Sequence, residues 1–104
     1  MLLLKKEYFQ AVRVGTKRTT LRYWRSRRVR PGSIHLVPGL GKVHILEARP
    51  VQWSQLTDAD AQADGFGCLS ELRQKLEEIY PPEAREARRL YQVHFDLLRV
   101  KDQA

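Results

Sequence analysis

The chain has 104 residues, of which 42% are hydrophobic and 30% are charged, and it carries a formal net charge of +7 with a sequence pI of about 10.0. This length predicts one domain, residues 1–104, with a single modest core, and no run of about 18 apolar residues is present to span a bilayer. The opening MLLLKKEYF has too short an apolar part for a secretory signal, so we expect a cytoplasmic protein.

The only cysteine, Cys68, has no partner for an internal disulfide, and we expect it to be a small buried residue. His35, His44 and His94 do not have the spacing of a zinc site. The sequence therefore predicts no metal and no other cofactor.

The N-terminal half alternates predicted strands with one helix. A helix is expected over residues 6–14 because Tyr8, Phe9 and Val12 fall on one face and Gly15 follows as a stop signal. Strands are predicted at residues 2–4, 19–24, 33–37 and 42–49.

Two helices and a strand are predicted in the second half. Thr57 is a suitable N-cap for a short helix that Gly65 ends, and Ser70 is expected to cap a second helix that stops before a proline pair. Residues 83–89 read as a charged connector, and the alternation over residues 91–97 predicts a last strand with one buried face. About five short strands with helices inserted between them predict an α+β fold with a curled mixed sheet or a small barrel.

Basic residues are concentrated in one segment. No acidic residue lies between Glu7 and Glu47, whereas residues 47–104 carry eight basic and eleven acidic side chains. A local basic surface favours a polyanionic partner, and arginine suits phosphate because its planar fork donates two parallel hydrogen bonds. The other interpretation is a solvated face that only keeps the protein soluble. The basic side chains between the two glutamates are Arg13, Lys17, Arg18, Arg22, Arg25, Arg27, Arg28, Arg30 and Lys42.

The predicted strand at residues 19–24 has two different faces. Alternation places Leu21 and Tyr23 on one face and Thr20, Arg22 and Trp24 on the other. A hydroxyl, a guanidinium and an indole in a row can hydrogen-bond to, neutralise and stack on a nucleotide. The alternative is an ordinary amphipathic strand.

Lys17 precedes this strand, on the turn after Gly15. Next to Arg22 and partly buried, its amine would have a pKa lowered toward neutrality and would be a usable general base for the Thr20 hydroxyl. The other interpretation is a solvated turn residue, which is the usual role of a lysine. Composition does not distinguish a general base from a solvated turn residue.

The stretch GTKRTTLR, residues 15–22, resembles the G-x-K-x-x-T-x-R signature of ASCH domains, a PUA-like β-barrel family associated with RNA. The similarity continues in order through residues 31–32, 41–45, 50–51, 56–65, 69–81 and 91–95, and so covers nearly the whole chain. It implies a small PUA-like mixed β-barrel with about five to six strands and two to three helices packed around it.

Small bacterial members of this family include amidohydrolases that deacetylate N4-acetylcytidine, and others are described as ribonucleases. The resemblance implies a catalytic lysine, a catalytic threonine and a glutamate on a helix, which fall on Lys17, Thr20 and Asp64. Asp64 is one methylene shorter than the glutamate of the family. It precedes Gly65 at the end of a predicted helix, where the dipole disfavours a carboxylate by roughly 0.3–1 kcal/mol. Helix stability therefore does not explain Asp64.

These residues are consistent with two functions. In an amide hydrolase, Thr20 would attack the acyl carbonyl, Lys17 would transfer the proton and Asp64 would orient the amine. Arg22 would stabilise the oxyanion. In a non-catalytic module for single-stranded RNA or DNA, or in a ribonuclease, the same cleft would admit one unstacked base while the loop over residues 25–30 contacts phosphates.

We expect RNA or a modified nucleoside as the partner, with no membrane and no obligate protein partner. Tyr23 or Trp24 is expected to stack on the base. The predicted substrate-binding and nucleic-acid-binding residues are Arg18, Arg22, Tyr23, Trp24, Arg25, Arg27, Arg28 and Arg30.

Overall fold

A four-stranded antiparallel sheet organises the residues that the computed structural model describes, 2–99. The strand order is β1-β4-β3-β2, so β1 and β2 are the edge strands. The strands are β1 (Thr19–Trp24), β2 (Ile34–Val37), β3 (Gly41–Pro50) and β4 (Arg89–Leu97).

Four α-helices are present within residues 2–99, and the first follows a 3₁₀ turn at Lys6–Tyr8. None of them is both long enough and apolar enough to cross a bilayer. The helices are α1 (Phe9–Arg13), α2 (Asp58–Ala63), α3 (Leu69–Ile79) and α4 (Pro82–Ala87).

The sheet separates two apolar clusters. Side chains alternate along β4, so Val93 and Phe95 pack into the first cluster while Leu90 packs into the second. The first cluster contains Leu2, Phe9, Val12, Val29, Val37, Val43, Ile45, Ala48, Val93 and Phe95. The second contains Leu21, Tyr23, Leu56, Ala61, Leu72, Leu76 and Leu90.

The predicted α+β class is confirmed, although the sheet is smaller than expected. The described residues form four strands rather than five or six, and all three pairings are antiparallel rather than mixed. The strand predicted at residues 2–4 is wrong. Leu2 is buried as expected, but the Leu3 carbonyl accepts a hydrogen bond from the Arg22 guanidinium rather than from a neighbouring strand.

The charged connector predicted at residues 83–89 is mostly helical. Pro82 occupies the first helical position of α4, where its missing N–H costs nothing because that group has no partner within a helix. Helix α4 ends at Ala87, and β4 begins two residues later at Arg89. The last strand is therefore longer than the alternation of apolar residues indicated.

One of the two predicted helix N-caps is correct. Thr57 caps α2 in a capping box, in which Asp60 and Thr57 each accept the other's backbone N–H. Ser70 was expected to cap α3, and this is wrong, because α3 already begins at Leu69, whose N–H donates to the Asp58 carboxylate at 2.8 Å. Cys68 takes the N-cap position, and it is half-buried rather than buried.

Thr19 provides a test of the packing of β1. Its side chain is 1% exposed, and its hydroxyl has no hydrogen-bond partner among residues 2–99. A buried hydroxyl without a hydrogen-bond partner is destabilising, because no interaction offsets its loss of hydration. Thr19→Val should therefore raise the free energy of unfolding by about 1 kcal/mol. For a domain of this size, this corresponds to an increase in melting temperature of about 4–8 °C.

Thr57→Ala is the matched control in the same thermal melts. It removes the N-cap of α2 and should lower the free energy of unfolding by about 1 kcal/mol. A fall in melting temperature for Thr19→Val would contradict the packing described for β1.

Candidate functional site

A cavity of about 360 Å³ lies beside the edge strand β1. Its walls come from the N-terminal segment, from β1, from the end of α2 and from one side of α3. The lining residues are Leu3, Leu4, Lys5, Tyr8, Lys17, Thr20, Leu21, Arg22, Asp64, Phe66, Leu72, Lys75, Leu76, Ile79 and Tyr80. The three predicted catalytic residues and Arg22 therefore meet in one pocket.

Backbone hydrogen bonds fix the turn that carries Lys17. Gly15 has a φ of 83°, a left-handed conformation that favours glycine, and it reverses the chain after α1. The Lys17 N–H donates to the Ala11 carbonyl at 3.1 Å, and the Arg18 N–H donates to the Ala63 carbonyl at 2.7 Å. The turn is thus held against both α1 and α2, and the Lys17 side chain enters the pocket.

Lys17 and Asp64 form a buried ion pair at the C-terminal end of α2. Asp64 is the C-cap residue of this helix, and the Lys17 ammonium donates both to its carboxylate and to its backbone carbonyl, the latter at 2.9 Å. Gly65 lies against the lysine stem, since a Cβ at this position would be 3.4 Å from the Lys17 Cβ. The ammonium therefore compensates for the unfavourable position of a carboxylate at a helix C-terminus.

Burial shifts the proton affinities of this pair toward each other. Desolvation raises the pKa of Asp64 to about 6, although the charges of Lys17 and Arg22 pull it down. Desolvation also lowers the pKa of Lys17, with the Asp64 carboxylate opposing this and the Arg22 charge adding a smaller lowering. The pair is therefore better able to exchange a proton near neutrality than a lysine and an aspartate on the surface.

The Thr20 hydroxyl is oriented by Arg22. The Arg22 Nε donates to Thr20 Oγ1 at 3.0 Å, while the other end of the guanidinium donates to the Leu3 carbonyl. Among residues 2–99 no hydrogen bond links Lys17 Nζ to Thr20 Oγ1. A guanidinium on the hydroxyl oxygen favours the alkoxide over the alcohol, because it stabilises negative charge on that atom.

The aromatic residues of the pocket are not the predicted ones. Tyr23 packs edge-on against Tyr80 at 5.2 Å, Trp24 packs against Tyr91 at 5.7 Å, and neither Tyr23 nor Trp24 lines the cavity. Alternation correctly separated the faces of β1, but it did not reveal that other side chains cover both faces. The aromatic residues that do line the cavity are Tyr8, Phe66 and Tyr80.

Of the three aromatic residues that line the pocket, Tyr8 is the one that the sequence placed on a helix face, next to the buried Phe9. Its position beside Lys17 depends on tertiary structure and could not be predicted from that pattern. Lys17 Nζ lies 5.0 Å from the centre of the Tyr8 ring, a cation–π distance.

The predicted phosphate-binding arginines lie outside the pocket. Val29, which is 2% exposed, anchors their loop to the first apolar cluster. The ion pairs within residues 2–99 are Lys17–Asp64, Arg49–Glu47 and Lys75–Glu78, so none neutralises this loop. The predicted phosphate-binding arginines that lie outside the pocket are all exposed, and they are Arg18, Arg25, Arg27, Arg28 and Arg30.

No protein-family model and no curated protein sequence matches the chain. Four solved structures share its fold, and three of them compare with this chain as follows. Hypothetical protein PH0355 has 18% identity and a TM-score of 0.78 over 92% of this chain and 95% of its own. The ASCH domain from Lactobacillus crispatus has 18% identity and a TM-score of 0.73 over 89% and 74%. Protein PF0455 from Pyrococcus furiosus has 16% identity and a TM-score of 0.69 over 94% and 96%.

The chain therefore has the fold of an ASCH domain, as the GTKRTTLR signature predicted, although its described sheet has four antiparallel strands rather than the expected five or six.

The ionisation of Asp64 predicts how stability depends on pH. Its pKa in the folded protein, about 6, lies above the ordinary value of 3.8, so ionisation opposes folding. The stabilising contribution is complete below the unfolded value and is lost as the pH rises through about 6. Asp64→Asn removes this titration, so the melting temperature of the wild type minus that of Asp64→Asn should fall between about pH 4 and pH 7. A difference that stays constant or grows over this range would contradict the burial of an ionisable Asp64.

Proposed function

We propose that this ASCH-fold domain binds RNA or a nucleotide derived from it and hydrolyses the amide of an N4-acylated cytidine. The observation that supports the proposal is the meeting of Lys17, Thr20 and Asp64 in one pocket, although Lys17 and Asp64 are 47 residues apart in the chain. The resemblance implies catalytic residues at these positions, with Asp64 in place of the glutamate of the family.

The size and chemistry of the pocket suit a single nucleoside. Its volume of about 360 Å³ is near the lower end of the range of about 300–1,000 Å³ that is usual for small-ligand sites. Most of the lining is apolar or aromatic, and the polar lining residues are Lys5, Lys17, Thr20, Arg22, Asp64 and Lys75. The ring of Tyr8, Phe66 or Tyr80 provides a surface on which a base can stack.

The proposed reaction begins with attack of Thr20 Oγ1 on the acyl carbon. The hydroxyl proton passes to the neutral form of the Lys17 amine, which the lowered pKa of Lys17 makes more accessible. Arg22 stabilises the negative charge that develops first on Thr20 and then on the acyl oxygen. The carbon–nitrogen bond then breaks, Lys17 returns the proton to the exocyclic nitrogen and cytidine leaves.

An ester between Thr20 and the acyl group remains after this step. Water attacks the ester, giving its proton to Lys17, and the free acid leaves as the Thr20 hydroxyl is restored. Asp64 holds the Lys17 amine in place throughout, through both its carboxylate and its carbonyl. The shorter acid at this position still reaches the lysine directly, which supports retention of activity.

A second candidate function is a module that binds single-stranded RNA or DNA without catalysis, or that cleaves RNA in the same cleft. The exposed arginines between Arg25 and Arg30 favour it, since a free nucleoside has no phosphate for them to contact. A purified protein that binds oligonucleotides and releases no cytidine from N4-acetylcytidine would favour this function over hydrolysis.

Thr20→Val tests the nucleophile. It preserves the shape of the side chain and removes the hydroxyl, so release of cytidine from N4-acetylcytidine should fall by at least about a thousandfold. Thr19→Val is the matched control, because it removes a buried hydroxyl from the adjacent residue of β1 outside the pocket. It should retain the activity of the wild type. Equal activity of Thr20→Val and Thr19→Val would refute the role of Thr20.

Lys17→Arg separates the proton-transfer role of Lys17 from its ion pair. Arginine keeps a positive charge beside Asp64 but does not release its proton in proteins, so kcat should fall by about 10²–10⁴-fold while the protein remains folded. Folding is checked by circular dichroism and by the melting temperature. Turnover close to that of the wild type would exclude Lys17 as the general base.

A further inference from the structure

The strand register brings arginines from both halves of the chain to one end of the β1–β4 ladder. Trp24 at the end of β1 pairs with Arg89 at the start of β4. Because the two strands are antiparallel, Arg25, which follows Trp24, and Arg88, which precedes Arg89, lie at the same end of the ladder. Arg25, Arg88 and Arg89, here called the ladder-end cluster, are all exposed.

This cluster lies beside the pocket. Arg22 pairs with Tyr91, and Arg89 is two residues from Tyr91 along β4, so Arg22 and Arg89 are diagonal neighbours on one face of the ladder. Diagonal neighbours of this kind are about 7–8 Å apart. Arg22 also lines the cavity, so Arg89 continues the basic character of the pocket wall outward along the strand.

The cluster has no counter-charge within the part of the chain that is described. None of the three ion pairs in residues 2–99 includes Arg25, Arg88 or Arg89. Like charges on adjacent strands repel one another and are destabilising. A polyanion bound at this end of the ladder would remove the repulsion and would release counterions.

We propose that the ladder-end cluster binds the phosphate backbone of a single-stranded polynucleotide whose next nucleotide occupies the pocket. The pocket holds one unstacked base, which requires a single strand, and the cluster is close enough to contact the adjoining phosphates. The occupant of the pocket rests on the proposed function, whereas the backbone contact does not depend on catalysis.

Binding of an unmodified oligocytidine RNA of about eight residues tests the proposal, measured by fluorescence anisotropy as a function of salt. For a single strand each phosphate contact contributes about −0.7 to the log–log slope of affinity against salt. Arg89→Ala should make the slope shallower by about 0.7 and weaken binding about fivefold at 0.1 M salt. Arg25→Ala should have a similar effect.

Lys42→Ala is the matched control, because it removes one exposed charge from the opposite end of the sheet. Its neighbour Val43 pairs with Leu97 at the far end of β4, roughly 26 Å from Arg89. It should leave affinity within about twofold of the wild type and the slope unchanged. A DNA oligonucleotide of the same sequence should show the same pattern, because it presents the same phosphates.

Three results would overturn the proposal: no binding of the oligonucleotide by the wild type, a wild-type salt slope for Arg89→Ala, or an equal loss for Lys42→Ala. Binding of polyglutamate as tight as that of the oligonucleotide would also overturn it, since it would indicate a site for any polyanion. These outcomes are separate from those of the proposed hydrolysis, because the probe has no acyl group. A protein without hydrolase activity still supports the backbone contact if Arg89→Ala weakens binding as expected.

Discussion

The buried ion pair between Lys17 and Asp64 is the interaction on which the candidate site depends. Each residue is 4% exposed, and removal of either partner would leave the other as an uncompensated polar group in the interior. The pair joins the turn before β1 to the end of α2, together with the backbone hydrogen bonds that hold the same turn. Thr20 follows this turn on β1 and lines the same pocket, with its hydroxyl oriented by Arg22. The burial that makes the pair costly is also what brings the two pKa values closer together.

The molecule keeps most of its arginines outside the pocket. An aromatic and aliphatic pocket suits a base, whereas exposed arginines suit phosphates that remain hydrated. Placing the whole set of arginines in the cavity would carry a large desolvation cost, and only Arg22 lies there, with hydrogen bonds to Thr20 and to the Leu3 carbonyl. The change from a pocket-lining arginine to an exposed one occurs at the end of β1, between Arg22 and Arg25.

The sequence predicted an element correctly where its local pattern agrees with the tertiary structure. The bounds of β1 follow from alternating β-branched, apolar and aromatic residues, and the N-cap at Thr57 follows from local side-chain chemistry. The segment at residues 2–4 could not be assigned this way, because its apolar run is the same for a strand and for an irregular chain held by a distant arginine.

Local sequence patterns were also insufficient to predict all the residues of the pocket. The signature identified Lys17 and Thr20, but the surroundings of Trp24 depend on contacts with β4, so the residues available for stacking could not be read from β1 alone. The sequence likewise assigned the basic surface to the N-terminal half alone. It could not include Arg89, because only the strand register places Arg89 beside Trp24.

The most direct measurement of the central claim is the identity of the residue that carries the acyl group during turnover. The wild type is mixed with N4-acetylcytidine, quenched in acid within the first turnovers and analysed by intact mass and peptide mapping. The account predicts a population heavier by one acetyl group, with the modification on Thr20, and free cytidine in the supernatant. Release of cytidine with the acetyl group on another residue, or no release of cytidine at all, would contradict it.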